Sequence, residues 1–215
     1  MADNLCGLTK LQLDALREIS SIGAGNAATA LSQFVDKKVE MKPPEIIIAS
    51  VKEAPRLIAG EIPLVTMIVL EILGEVYGHI LVIFEEKNAL SLIDLLMGRK
   101  PDSATTTLSE IDISALKEVA SVMSGSYLRV LGDMINKTLK MTPPYFNSVA
   151  PNKIPGFIIK HSPKEGGTTI CLKSLFWTIG GNVKVSGYIV FIPSSSSLRI
   201  LLRLLGMEEA GSNHN

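Results

Sequence analysis

The sequence predicts an α+β fold: one mixed or antiparallel sheet with pseudo-twofold symmetry, covered by two long helices and two shorter ones. Three observations carry that expectation. One helical pattern occurs twice, a hundred residues apart, with Asp14, Glu18, Ser21 and Gly25 returning as Ser114, Glu118, Ser121 and Gly125. A proline pair follows each copy at the same offset, Pro43-Pro44 and Pro143-Pro144, with Met41 and Met141 just before it. Each pair is followed by runs rich in Val, Ile and Thr, and each half closes on a short amphipathic segment ending at glycine.

Taken in order, the first helix starts after Leu8-Thr9. Thr9 can cap it, and Gln12 three positions on completes a capping box. Leu108-Ser109 with Asp112 repeats the arrangement. Leu16, Ile19, Gly23, Ala27, Ala30 and Phe34 form the expected inward face of the first helix. Leu116, Val119, Met123, Tyr127, Val130 and Met134 form that of the second. The helices end near Asp36-Lys37-Lys38 and Asn136-Lys137, and the proline pairs then force extended backbone. Strands are expected at Glu45–Val51, Gly60–Leu73 and Glu75–Phe84, and again at Phe157–His161, Thr168–Ile179 and Val183–Ile192. Short helices follow at Ala89–Met97 and Ser197–Leu205, stopping at Gly98 and Gly206, the latter capped at Ser196 or Ser197. Residues 99–107 read as the linker between repeats at about 8–98 and 108–206. Half a sheet with one apolar face is not stable alone, so residues 1–215 are expected to form a single domain.

Composition narrows the function classes. Lys+Arg and Asp+Glu are 21 each, so no bulk charge grips nucleic acid or an anionic membrane. The longest apolar stretch, Ile62 to Leu73, is interrupted by Glu71 and falls short of the roughly 20 residues of a membrane helix. The N-terminus lacks the basic and apolar regions of a signal peptide. Cys6 and Cys171 match no metal or redox spacing, and the three histidines have no partner at ligand spacing. A cytoplasmic protein with free thiols is expected, monomeric and with no cofactor or metal of its own. Gly23-x-Gly25-x-x-Ala28 imitates a dinucleotide fingerprint but sits mid-helix, whereas a true one opens a helix after a strand.

Residues at i, i+4, i+7 and i+11 share one narrow arc, since each helical residue turns by about 100°. Each copy therefore presents acidic, hydroxyl and glycine positions as one outward stripe. A Glu followed by a hydroxyl is common on solvated helix faces. The glycines are less ordinary, because a mid-helix glycine costs about 0.5–1 kcal/mol against alanine. On an outward face such a glycine lets a partner backbone approach closely, with Glu18 and Glu118 offering charge.

The spacing [Asp/Ser]-x3-Glu-x2-Asn-x22-Pro resembles the CheC/CheX/FliY chemotaxis phosphatase family. Asp14, Glu18, Ser21 and Pro44 match it once, and Ser114, Glu118, Ser121 and Pro144 match it again. The segment Ile22 to Ala30 is similar to the first helix of CheC-like members, and two copies favour that branch. The resemblance implies dephosphorylation of a phosphorylated response regulator of the CheY type, which carries its own Mg²⁺ and Lys. It implies that Glu18 and Glu118 dock on that Lys. It also implies that the receptor deamidase CheD is a further partner. Asp14, Gly25, Pro44, Ser114, Gly125 and Pro144 would belong to the partner-binding surface. A flagellar switch component of the FliY type is a third expectation, disfavoured because FliY carries an extra C-terminal module.

The chain departs from the family at one point in each copy: Ser21 and Ser121 stand where the family has the asparagine that orients the attacking water. A hydroxyl is shorter than an amide and rotates freely, though it too donates and accepts. A misplacement near 1 Å can cost about 100-fold. Three readings follow: a phosphatase of reduced rate, a binding-only homologue, or a deliberate replacement at both sites that traps a complex.

Overall fold

In the computed structural model, residues 9–50, 65–99, 107–149, 168–178 and 184–204 are described, with isolated positions at 53, 153, 156, 157 and 160. The fold is α+β. In chain order, α1 (Lys10–Val35), β1 (Val39–Met41), β2 (Glu45–Ser50), β3 (Val65–Leu73), β4 (Gly78–Glu85) and α2 (Glu86–Leu96) form the first half. The second half comprises α3 (Glu110–Ile135), β5 (Lys140–Met141), β6 (Tyr145–Val149), β7 (Thr168–Thr178), β8 (Lys184–Pro193) and α4 (Ser195–Leu204).

Both long helices begin where the capping residues place them. Thr9 accepts from the Gln12 N–H while the Gln12 side chain accepts from the Thr9 N–H at 2.7 Å. Ser109 and Asp112 do the same, the Ser109 N–H donating to Asp112 Oδ2 at 2.9 Å. Both end on a left-handed residue, Asp36 at φ 50° and Asn136 at φ 53°; these types tolerate that conformation best after glycine. α2 ends on Gly98 at φ +63°, the expected C-terminal glycine. Gly206, most of the 99–107 linker, Cys6 and the C-terminal end of the chain lie outside the described residues.

Among the described residues all strand pairings are antiparallel, and the eight strands form one sheet in the order β1-β7-β8-β4-β3-β5, with β2 also on β7 and β6 also on β3. The halves meet at β4 and β8, where His79 pairs with Ile192 and Ile83 with Tyr188. They also exchange edges: β1 and β2 of the first half pair with β7 of the second, and β5 and β6 of the second pair with β3 of the first. Two glycines permit the central contact. A Cβ on Gly187 would lie 2.6 Å from the Phe84 ring, and one on Gly78 would collide with the backbone of Ile192 and Pro193.

Three sequence expectations need correction. The second half's first strands are β5 and β6, not Phe157–His161, where Gly156, Phe157 and Lys160 are helical. Short apolar runs such as Phe157 to Ile159 are ambiguous between strand and helix by sequence pattern alone. The sheet is covered on both faces rather than one. Ile68, Leu70, Ile80, Val82 and Phe84 face the helices, while Met67, Val69, Leu81, Ile83 and Val190 form a second cluster on the other side. A continuous apolar run such as Val65–Leu70 is the pattern of a strand buried on both faces. α4 begins earlier than expected, capped by Ser194, whose Oγ accepts from the Ser197 N–H at 3.1 Å.

α1 and α3 lie side by side on the sheet and cross antiparallel. Leu16 and Ile19 share an internal cavity with Leu128 and Leu131, whereas Asn26 to Gln33 face Ser121 and Val122 across a groove. At the crossing Gly23 meets Tyr127, and a Cβ on Gly23 would stand 2.5 Å from the ring. Buried residues follow this crossing rather than simple periodicity. Gln12, Ala24 and Leu31 are inside, while Phe34 (44% exposed) and Met134 (40%), expected inside, are out. Both lie in the last turns of their helices.

Gly23→Ala should lower stability by about 1–3 kcal/mol in denaturant melts, because overpacking against an aromatic ring outweighs alanine's better helix propensity. A second expectation concerns acid. Burial alone would raise the Asp112 carboxyl. Its hydrogen bonds from the Ser109 backbone and hydroxyl and from Arg99, with the Arg99 charge 2.9 Å away, more than offset this and hold it below the ordinary 3.8. A depressed folded-state pKa contributes stability above the unfolded value, which is lost as pH falls through the folded one. Melts across a pH series should therefore show an acid loss below about pH 4 that Asp112→Asn reduces.

Candidate functional site

The two stripes lie on the solvent side of α1 and α3, away from the sheet. Asp14, Glu18, Ser21 and Gly25 are all exposed; Ser114 and Glu118 are exposed, and Ser121 and Gly125 half-buried. The expected outward faces thus exist, but the copies differ in detail. Asp14 pairs with Arg17 at 2.8 Å in an exposed contact, which is worth little in water. Ser114 instead donates to the Glu110 carbonyl at 2.9 Å. Neither Glu18 nor Glu118 forms an ion pair among the described residues, so both carboxylates are available to a partner's cation.

The two serines also differ. Ser121 Oγ donates to the Lys117 carbonyl at 2.9 Å. That bond uses its proton and fixes the oxygen, so Ser121 presents acceptor lone pairs in a set direction. Ser21 makes no such bond among the described residues and keeps a freely rotating hydroxyl.

The glycines separate as well. Nothing lies within 4 Å of a Cβ added at Gly25, whereas one at Gly125 would sit 3.4 Å from Met141 Cε. The second glycine therefore also serves packing, against the segment leading to Pro144. Pro44 and Pro144, both half-buried, stand immediately before β2 and β6 and mark where the chain leaves the helix layer for the sheet. In the first copy Ser32 Oγ accepts from the Val39 N–H at 2.9 Å, tying β1 to the end of α1.

A feature the sequence did not disclose lies between the stripes. Asn26, Thr29, Ala30 and Gln33 of α1 and Ser121, Val122, Gly125, Ser126 and Arg129 of α3 line an open polar groove of about 540 Å³. The groove runs along one flank of the second stripe. Asn26 and Arg129 were legible as exposed polar residues on helices, but only the antiparallel crossing brings Asn26 of α1 into the groove that Ser121 and Arg129 of α3 line. No cluster of three or more His, Cys, Asp or Glu able to hold a metal occurs among the described residues. His79, 4% exposed, faces Glu71 across the β3–β4 ladder at 3.7 Å and lies in the sheet, not beside either stripe. No helix among the described residues is long and apolar enough to cross a membrane.

Known proteins resemble this chain in sequence and in fold. Residues 11–48, which hold the first stripe and Pro44, match the model of the CheC-like family. The chain is 32% identical over 140 residues to the CheY-P phosphatase CheC of Bacillus subtilis, covering 64% of this chain and 66% of that protein. It is 29% identical over 137 residues to the flagellar motor switch phosphatase FliY of the same organism, covering 64% of this chain and 35% of that one. The matches thus span part of each relative. Among solved structures, Thermotoga maritima FliY superposes with a TM-score of 0.78 at 20% identity, covering 94% of this chain and 99% of that one. The FliM middle domain from H. pylori has a TM-score of 0.63 at 15% identity, covering 92% and 99%. These two likenesses speak for the fold.

The open space at Gly25 has a measurable consequence. Gly25→Ala should stabilise the free chain by about 0.5–1 kcal/mol in denaturant melts, since helix propensity is the only change. Gly125→Ala should gain less because of Met141; an equal gain would show that this contact yields freely.

Proposed function

The chain belongs to the CheC/CheX/FliY family, and from that premise we propose that it hydrolyses the aspartyl phosphate of a CheY-type response regulator. The observation that carries this reading is the pair of outward Glu/Ser stripes at the family's spacing, each with an uncommitted carboxylate. An aspartyl phosphate is already a reactive acyl phosphate, and the regulator supplies the Mg²⁺ and Lys that neutralise the transferring phosphoryl group. Glu18 or Glu118 docks on that Lys. The serine hydroxyl oxygen accepts a hydrogen bond from one water and so holds that water's lone pair toward phosphorus. The water oxygen bonds to phosphorus, the bond to the aspartyl oxygen breaks with its electron pair staying on the carboxylate, and inorganic phosphate departs carrying the water's protons. Positioning is a large catalytic effect, and this scheme asks little else of the chain.

A second reading, binding without turnover to the regulator or to CheD, draws on the same serines. Each lacks the reach of the amide it replaces, and Ser21 also lacks a fixed orientation.

The discriminating experiment is phosphate loss from a phosphorylated CheY-type regulator. The purified chain should accelerate it, and Ser21→Asn with Ser121→Asn should accelerate it further, by roughly 10- to 100-fold if the amide recovers about 1 Å of misplacement. Binding without acceleration by either form would leave only the second reading. Glu18→Ala with Glu118→Ala should weaken regulator binding in titration calorimetry; unchanged affinity would remove the docking role.

A further inference from the structure

The groove beside Ser121 holds an amide that the stripe itself lacks. Asn26 lines it from α1, is exposed, and makes no hydrogen bond among the described residues. Arg129, one turn beyond Gly125, lines the same groove and forms no ion pair among the described residues. Ser121 contributes a hydroxyl oxygen whose own proton is already given to the Lys117 carbonyl. An acceptor of fixed direction, an uncommitted amide and a guanidinium thus line one open groove. That is the set needed to hold a water against a phosphoryl oxygen: acceptors for the water's protons, a planar donor and acceptor beside it, and a cation for the anion.

We infer that Asn26 completes the second site across the helix crossing, holding the attacking water together with Ser121. Asn26 thereby replaces from α1 the amide absent from α3. The inference rests on the phosphatase reading above. It makes the two stripes unequal. The position in α3 corresponding to Asn26 is Ser126, and that in α1 corresponding to Arg129 is Thr29, so the first stripe has neither the amide nor the cation at the exchanged positions. The short reach of the Ser121 hydroxyl is then partly offset. A two-residue water clamp lets one partner stay close to its own backbone while the other reaches in from the neighbouring helix.

The test uses the full chain and a phosphorylated CheY-type regulator, with phosphate release followed across regulator concentrations. Asn26→Ala should lower kcat at least tenfold while KM stays within twofold. An exposed mid-helix alanine does not threaten folding, and unchanged circular dichroism and melting would verify that. A purely structural role would move stability, or KM and kcat together. A kcat within twofold of the parent chain, or a loss confined to KM, overturns the inference and leaves the phosphatase reading standing. No acceleration by the parent chain overturns both.

Discussion

Tyr127 lies against the backbone of Gly23, and the placement of both candidate faces depends on that contact. With no side chain at Gly23, α1 comes close enough to α3 for the ring to cover its backbone. Ala24 and Ala27 continue the close-packed seam on the α1 side, Met123 and Leu128 on the α3 side, all in one buried cluster with the sheet. Once the crossing is set, each helix has a single orientation about its own axis. The stripes then face solvent, and Asn26 and Arg129 face each other's helix across the polar groove. Interiors pack like crystals, so a crossing held by a glycine and an aromatic ring is not free to slide.

The sheet supplies the second constraint. Because β1 and β2 complete the edge begun by β7, and β5 and β6 complete the one begun by β3, neither half has a finished sheet of its own. Residues of β3, β4 and β8 are buried on both faces, so they bind the halves through apolar contacts on two sides as well as through the ladder. Gly78 and Gly187 mark where the backbones come nearest. A helix layer on such a base is rigid, which suits a site whose proposed chemistry consists mainly of holding one water in place.

The chemistry that remains is economical. The stripe carboxylates are exposed and unpaired among the described residues, and Ser121 has its proton tied down. Such a surface suits the proposed partner, which brings its own reactive bond. The inequality of the copies, with Ser121 anchored and Ser21 rotating, and Gly125 packed and Gly25 open, shows how one pattern acquires two local environments.

Local order was readable from the chain itself. Thr9 with Gln12 and Ser109 with Asp112 define both helix starts through contacts three residues apart, and Gly98 ends α2 through its own backbone freedom. The exposure of Glu18 and Glu118 follows from helical periodicity alone. Tertiary structure decided the rest. Which strand pairs with which, why Phe34 and Met134 are outside, and why Asn26 stands beside Ser121 all depend on residues far apart in sequence meeting across one helix crossing and one sheet. A side chain's hydrogen bonds and periodicity act over a turn or two of chain. The proximity of distant segments is set only when the whole core packs, and no short stretch of sequence carries its signature.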